Sequence, residues 1–179
     1  MKVVVIANDQ QWNEWPLKES SFERIEDTSM LGDAKADIFI NLTGSLIGSN
    51  NNNMIRINAW PGFLQRSVWE VAGNITEKVR ALFQKLDKKF IAVPDEPGFI
   101  SGRVIAMIIN EAYFAIGDNV STKQEIDTAM KLGTNYPLGP FEWAEKIGLR
   151  KIYELLNELS SSDKRYLPAP SMIAEVHAL

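Results

Sequence analysis

Asp95-Glu96-Pro97-Gly98-Phe99-Ile100-Ser101-Gly102-Arg103 marks the point at which the sequence changes character, and Asn135-Tyr136-Pro137-Leu138-Gly139-Pro140-Phe141-Glu142-Trp143 punctuates the stretch beyond it. Before Pro94 the apolar residues come in short β-branched runs. Val3-Val4-Val5-Ile6-Ala7, Ala36 to Leu42, Met54 to Asn58 and Phe90 to Val93 each read as a buried strand of a mostly parallel sheet. Asn74-x-x-Glu77 has the form of a capping box. It precedes Ile75, Val79, Leu82, Phe83 and Leu86 on one helical face, which predicts a helix covering that sheet. After Pro94 only helical periodicity remains. Val104 to Ile116 is apolar nearly all round, Ser121-x-x-Gln124 predicts a helix ending at Gly133, and Pro140 and Gly148 bracket a short helix. Leu149, Ile152, Tyr153, Leu156 and Leu159 line one face of a further helix, so a four- or five-helix cluster is expected. Asn50 to Asn53 reads as an exposed polar loop.

Composition narrows the class of function. The 179 residues are 45% hydrophobic, enough to bury a core, and carry a formal charge of −4 with no Lys/Arg-rich tract. Nucleic acid and anionic membrane are therefore not expected as partners. With no Cys there are no disulfides or thiolate ligands. The single His, His177, sits at the C-terminal end, so no metal site is expected. The five apolar residues after Lys2 are too few for a signal-peptide core, which gives the expectation of a cytoplasmic protein.

The two punctuating motifs resemble the 3-hydroxyacyl-CoA dehydrogenase family, whose pattern runs D-x-P-G-F-x-x-N-R and then G-x-x-x-P-x-G-P-F-x-x-x-D-x-I-G. The likeness spans roughly Ala36 to Val176 and is densest from Asp95 to Leu149. It implies a truncated Rossmann-like α/β domain over residues 1–95. An all-helical domain over 96–179 would come next, of the type that closes 6-phosphogluconate dehydrogenase and pairs two subunits. A homodimer and an acyl-CoA ligand are the partners it implies.

Against that family the cofactor signal is weak. Where the opening strand of the family runs into G-x-G-x-x-G, this chain has Ala7, Asp9 and Trp12. The glycines of such a turn let backbone N–H groups approach a diphosphate. A carboxylate at 9 and an indole at 12 oppose that approach. Between the first strand and Ala36 the family needs further strand-helix units, and Asp37 reads as a strand-start residue, not a ribose ligand. NAD is implied by the resemblance only, and no cofactor is expected.

The family's catalytic set is a His base, a Glu that orients it, an Asn and a Ser. Aligning Val68-Trp69-Glu70-Val71 with the family's L-V-E-V places Glu70 at the orienting carboxylate and Asn58 at the base. An amide has no proton-accepting nitrogen near neutral pH. The ~10²- to 10⁴-fold typical of general acid-base catalysis therefore cannot come from Asn58. Gly44 stands at the Ser position with Ser45 next to it, and Gly102 at the Asn position with Ser101 next to it. Glu70 is expected to be either an exposed or Arg-paired strand residue, with Arg56 as a candidate partner, or a lone acid or base in an apolar cleft. Arg103 has two candidate partners, a CoA phosphate and Asp95, and Asn110 and Glu111 face either solvent or a second subunit. Trp12, Trp15, Trp60, Trp69 and Trp143 are expected mainly in the core or at an interface.

Three functions stand as expectations. The first is a dehydrogenase homologue without NAD or catalytic His, kept as a dimeric CoA-ester-binding or scaffold protein. The second is an active 3-hydroxyacyl-CoA dehydrogenase with a divergent site. The third is a non-redox enzyme on CoA thioesters that uses Glu70.

Overall fold

A computed structural model describes residues 1–31, 35–47 and 52–179. The chain divides into two compact units, Met1–Ile100 and Ser101–Leu179.

Among the described residues the first unit forms a six-stranded sheet of order β2-β1-β3-β4-β5-β6. Its strands are β1 (Val3–Ile6), β2 (Phe22–Ile25), β3 (Ile38–Asn41), β4 (Met54–Ile57), β5 (Val68–Gly73) and β6 (Lys89–Ala92). All neighbours are parallel except β4 and β5, which run antiparallel. This is the α/β sheet that the β-branched runs predict, except that the run at Phe90 forms an exposed edge strand and not a buried one. Two strands, β2 and β5, lie outside those runs. β2 is Phe-Glu-Arg-Ile, with only Phe22 buried, and lies at the sheet's edge. The interval between β1 and β3 therefore holds a strand, the short helix α1 (Asp9–Glu14) and a 3-10 turn at Thr28–Leu31, and is less depleted than expected.

Alternation sorts the strand residues onto two faces. One face carries Val3, Val5, Ile38, Ile40, Ile55, Ile57, Trp69 and Val71. It packs under Val79, Leu82 and Phe83 of α2 (Glu77–Lys85). Trp15 and Trp69 meet there with ring centroids 5.6 Å apart, so the expectation of core tryptophans holds for both. The other face carries Val4, Ile6, Phe39 and Met54 in a smaller core, then a row of polar residues: Asn41, Arg56, Asn58 and Glu70. The cap of α2 is Thr76, whose hydroxyl accepts from Val79 N–H, and not the box expected from Asn74. Asn52 and Asn53 are exposed turn residues, while Asn50 and Asn51 lie outside the described residues.

The second unit is five α-helices: α3 (Ser101–Gly117), α4 (Lys123–Thr134), α5 (Pro140–Ile147), α6 (Leu149–Ser160) and α7 (Pro170–Ala178). Leu149, Ile152, Leu156 and Leu159 of α6 are buried as the heptad-like spacing predicts. The α4 box is shifted by one residue from the expected Ser121-Gln124. Thr122 caps, Glu125 reciprocates, and Asn135 in the left-handed region closes the helix.

Gly139-Pro140-Phe141 acquires a physical reason here. The buried Asp127 of α4 accepts from Phe141 N–H at 2.8 Å and from Glu142 N–H at 3.3 Å, capping α5 from a distant helix. A Cβ at position 139 would overlap the Asp127 carboxylate, and Pro140 takes the first helical position, where no N–H is needed. Asn110 is not an interface residue. It is buried and bridges the chain between α6 and α7, donating to Leu167 C=O at 2.9 Å and accepting from Ala169 N–H at 2.8 Å. Glu111 is exposed.

Candidate functional site

The polar row on the second sheet face is built by register. Asn41 pairs with Arg56 across β3 and β4, and Asn58 N–H reaches Glu70 C=O at 3.2 Å just past the end of β4. All four side chains therefore emerge on one side of the sheet.

Asn58 and Glu70, twelve positions apart in sequence, meet directly. The amide of Asn58 donates to Glu70 Oε2 at 2.8 Å; Asn58 is buried and Glu70 half-buried. Glu70 lies beside Ile91 in the β5–β6 register, and Ile91 is 45% exposed. The Arg66 guanidinium lies over the Phe63 ring, its Cζ 3.5 Å from the centroid. Burial pulls its pKa down while the Glu70 charge acts in the opposite sense. The site thus joins an amide, a carboxylate and a half-buried guanidinium.

Arg56 is engaged by the chain beyond β6. Only 1% exposed, it donates to Asp95 Oδ1 at 2.6 Å, to Glu96 C=O at 2.6 Å and to Gly44 C=O at 3.1 Å. Its guanidinium also stacks on Phe99, 3.9 Å from the ring centroid. The other Asp95 oxygen accepts from Ile47 N–H at 2.7 Å. The Asp-Glu-Pro-Gly-Phe stretch is therefore a receptor for one buried arginine. Gly98 and Phe99 both take positive φ, 73° and 53°, to bring the ring beneath it. The Asp95 carboxylate that the sequence offers to Arg103 is engaged by Arg56 and Ile47. This link spans 39 positions, with no local signal to announce it.

Ser45 sits in the exposed loop after β3 and joins the row through its backbone, its C=O accepting from Asn41 Nδ2 at 2.8 Å. Ser101 opens α3 and belongs to the second unit. The structure thus brings Asn58 and Glu70 together, and Ser45 and Ser101 belong to other segments.

At the carboxyl end of β1 the chain turns straight into α1. Asn8 caps the helix, and Gln11, only 5% exposed, completes the box by accepting from Asn8 N–H at 3.0 Å. Gln11 Nε2 donates across the sheet to Leu42 C=O at the end of β3. Trp12 is half-buried against the core. Glu26 and Asp27 come directly after β2, the end of a second strand where an open α/β sheet places a ribose-binding acid. The sequence gives no signal for them, because β2 itself has no strand pattern. Asp27 is turned to Ser29, whose hydroxyl and N–H hold its carboxyl below the usual range. Asp37, at the opposite end of the sheet, pairs with Lys78 and Lys2 N–H, consistent with a strand-start role.

In the second unit an apolar groove of about 290 Å³ runs between α3 and its neighbours, lined by Ile108, Ala112, Ala115, Ile126 and Met130. Val104 and Phe114 of α3 are 51% and 37% exposed, so the helix is less enclosed within the chain than its composition suggests. Among the described residues no helix is long and apolar enough to cross a membrane.

Residues 98–178 match the family model described as 3-hydroxyacyl-CoA dehydrogenase, C-terminal domain. The chain is 41% identical over 95 residues to the 3-hydroxyadipyl-CoA dehydrogenase of Escherichia coli, covering 52% of this chain and 20% of that protein. It is 34% identical over 122 residues to the 3-hydroxybutyryl-CoA dehydrogenase of Clostridioides difficile, covering 64% and 43%. It spans less than half the length of these curated relatives. Among solved structures, the (S)-3-hydroxybutyryl-CoA dehydrogenase PaaH1 of Ralstonia eutropha superposes with a TM-score of 0.70 at 26% identity, over 88% of this chain and 64% of that one. Residues 98–178 thus form a C-terminal domain of the 3-hydroxyacyl-CoA dehydrogenase family, and the chain shares the fold of that family's solved members.

Proposed function

We propose that this chain is a dimeric CoA-ester-binding member of its family that carries out no nicotinamide-linked redox step. One observation carries the reading: the residue that meets Glu70 is Asn58, whose amide can donate but cannot take a proton. Hydride transfer from a 3-hydroxyacyl group needs the hydroxyl proton removed as the hydride leaves, and the Asn58 amide cannot receive it. Asp9 and Trp12 at the first turn, with Gln11 sealed between strand ends, argue against a bound diphosphate. The CoA-ester ligand is supported by the relatives' named substrates. A homodimer is supported by the apolar residues that α3 leaves exposed and by the groove beside them.

Thermal shift with acetoacetyl-CoA and NADH, alone and together, tests this. The expected result is a shift with acetoacetyl-CoA, none with NADH, and no loss of NADH absorbance. NADH oxidation that scales with protein and acetoacetyl-CoA would establish the active-dehydrogenase reading instead. Light scattering at micromolar concentration should give twice the chain mass, and a Val104→Glu variant should give the mass of one chain.

A second reading has its own observation. Glu70 is half-buried beside Ile91 and Arg66, in a place suited to moving a proton on a bound thioester without a nicotinamide. An acyl-CoA panel read by mass spectrometry would show product formed without cofactor. Turnover unchanged in Glu70→Gln removes this reading.

A further inference from the structure

The strand order β2-β1-β3 puts a topological switch point at β1: the chain leaves it to one side for β2 and later returns to the other side for β3. In open α/β sheets the crevice outside the carboxyl ends of such strands is where ligands lie, because backbone N–H and C=O groups there have no partner in the sheet. In this chain those groups have partners, and side chains supply them. Arg24 Nε, on β2, donates to Ala7 C=O at the end of β1 at 2.9 Å, while its Nη1 is held by Asp9 at 2.7 Å. The buried Gln11 accepts from Asn8 N–H and donates to Leu42 C=O, spanning β1 to β3. Glu14, at the last turn of α1, accepts from Gly62 N–H, its oxygens 3.0 and 3.2 Å away, in the loop beyond β4. The ends of β1 and β3 and the loop beyond β4 are thus tied by residues 11, 14 and 24, two of them on one six-residue helix.

We propose that α1 is a built-in plug of the switch-point crevice: Gln11 and Glu14 accept from the Asn8 and Gly62 N–H groups that an anionic ligand would otherwise take, and Gln11 and Arg24 brace the helix by donating to the Leu42 and Ala7 carbonyls. It rests on the reading that the chain holds no dinucleotide, and it adds the specific side chains that keep the place shut. A plug differs from ordinary core. Its polar contacts can be withdrawn locally, because the apolar core on that face is formed chiefly by strand residues and α2.

Hydrogen exchange by mass spectrometry on the full chain tests the proposal, comparing wild type with the Gln11→Ala/Glu14→Ala double variant and with Glu14→Gln. In the double variant, exchange at Asn8 and Gly62 should accelerate roughly tenfold, since each amide loses its acceptor, with β5 and β6 unchanged. Glu14→Gln, which keeps a carbonyl acceptor, should recover most of the protection at Gly62. Inorganic pyrophosphate, as a probe of the diphosphate, should leave wild-type exchange unaltered. Unchanged exchange at Gly62 and Asn8, acceleration that spreads through β5 and β6, or protection of the wild-type strand ends by pyrophosphate would each overturn the plug. The function proposed above fails by a separate result: NADH binding to the wild type, by equilibrium dialysis, with the Gly62 and Asn8 amides behaving as expected for the plug.

Discussion

Asn58 gives Glu70 a hydrogen bond of 2.8 Å, and the atom that gives it stands where an imidazole would carry Nδ1. Both nitrogens are bonded to Cγ, so an amide reproduces the inner donor of a histidine and omits the outer nitrogen that would meet a substrate. In the function proposed above, this is the geometry that orients a base, held without the base.

Replacing Asn58 by His should therefore rebuild an imidazole-carboxylate pair. The carboxylate favours the imidazolium, so the new side chain should titrate about one pH unit above the same imidazole in the Asn58→His/Glu70→Gln background, as read by NMR. A raised folded-state pKa stabilises the protein fully below the imidazole's unfolded value of roughly 6.5, and that contribution disappears as pH rises through the folded value. Equal titration in the two backgrounds would mean that Glu70 does not face position 58 in solution.

Arg56 should be among the costliest side chains to remove. Arg56→Met leaves the Asp95 carboxylate without its cation and two carbonyls without their donor, at a cost of about 3–5 kcal/mol in urea unfolding. Arg56→Lys should fall between the two, because an ammonium cannot serve three acceptors in a plane. A loss under about 1 kcal/mol would place the pair among ordinary surface ion pairs.

Asp127 and Gly139 make up one joint, and either change should break it. Asp127→Ala removes the cap of α5 and should cost about 1–2 kcal/mol. Gly139→Ala should be at least as damaging, since its methyl group meets the carboxylate. If Gly139→Ala were harmless in wild type, the close approach would not exist.

Acid sensitivity should centre on hydrogen-bonded surface carboxylates. Lys131 first, then the Gly139 N–H, hold Glu142 below its ordinary value of 4.5, and Ser121 and Thr122 do the same for Glu125. Groups with lowered pKa stabilise the fold above their unfolded values, and that contribution is lost as pH falls through the folded ones. The melting temperature should fall as pH drops below about 4.5. In Glu142→Gln it should start lower and fall less over that range.

The range of each interaction decides how legible it is in the sequence. β1, β3 and β4 are legible because both of their faces are buried, which leaves continuous apolar runs. β2 is hidden because Glu23 and Arg24, paired with Lys2 and Asp9, make an edge strand look like a solvated turn. The α4 box is displaced by one residue because Ser121 and Thr122 both offer a hydroxyl to Glu125, and only the fold selects Thr122 as the cap. The Asn58–Glu70 pairing is within reach through motif alignment, although the sequence also offers Arg56 as a partner. The Arg56–Asp95 link is out of reach because nothing near either residue names the other.

The distribution of indoles has an optical consequence. Trp12, Trp15, Trp60 and Trp69 belong to the first unit and Trp143 alone to the second. With Trp15 and Trp69 almost wholly shielded from water, intrinsic emission should be dominated by the sheet and blue-shifted while it is intact. A melt followed by fluorescence would then track the sheet, and far-ultraviolet dichroism would be weighted toward the five-helix unit. Divergence of the two curves would reveal stepwise loss of order within a single chain.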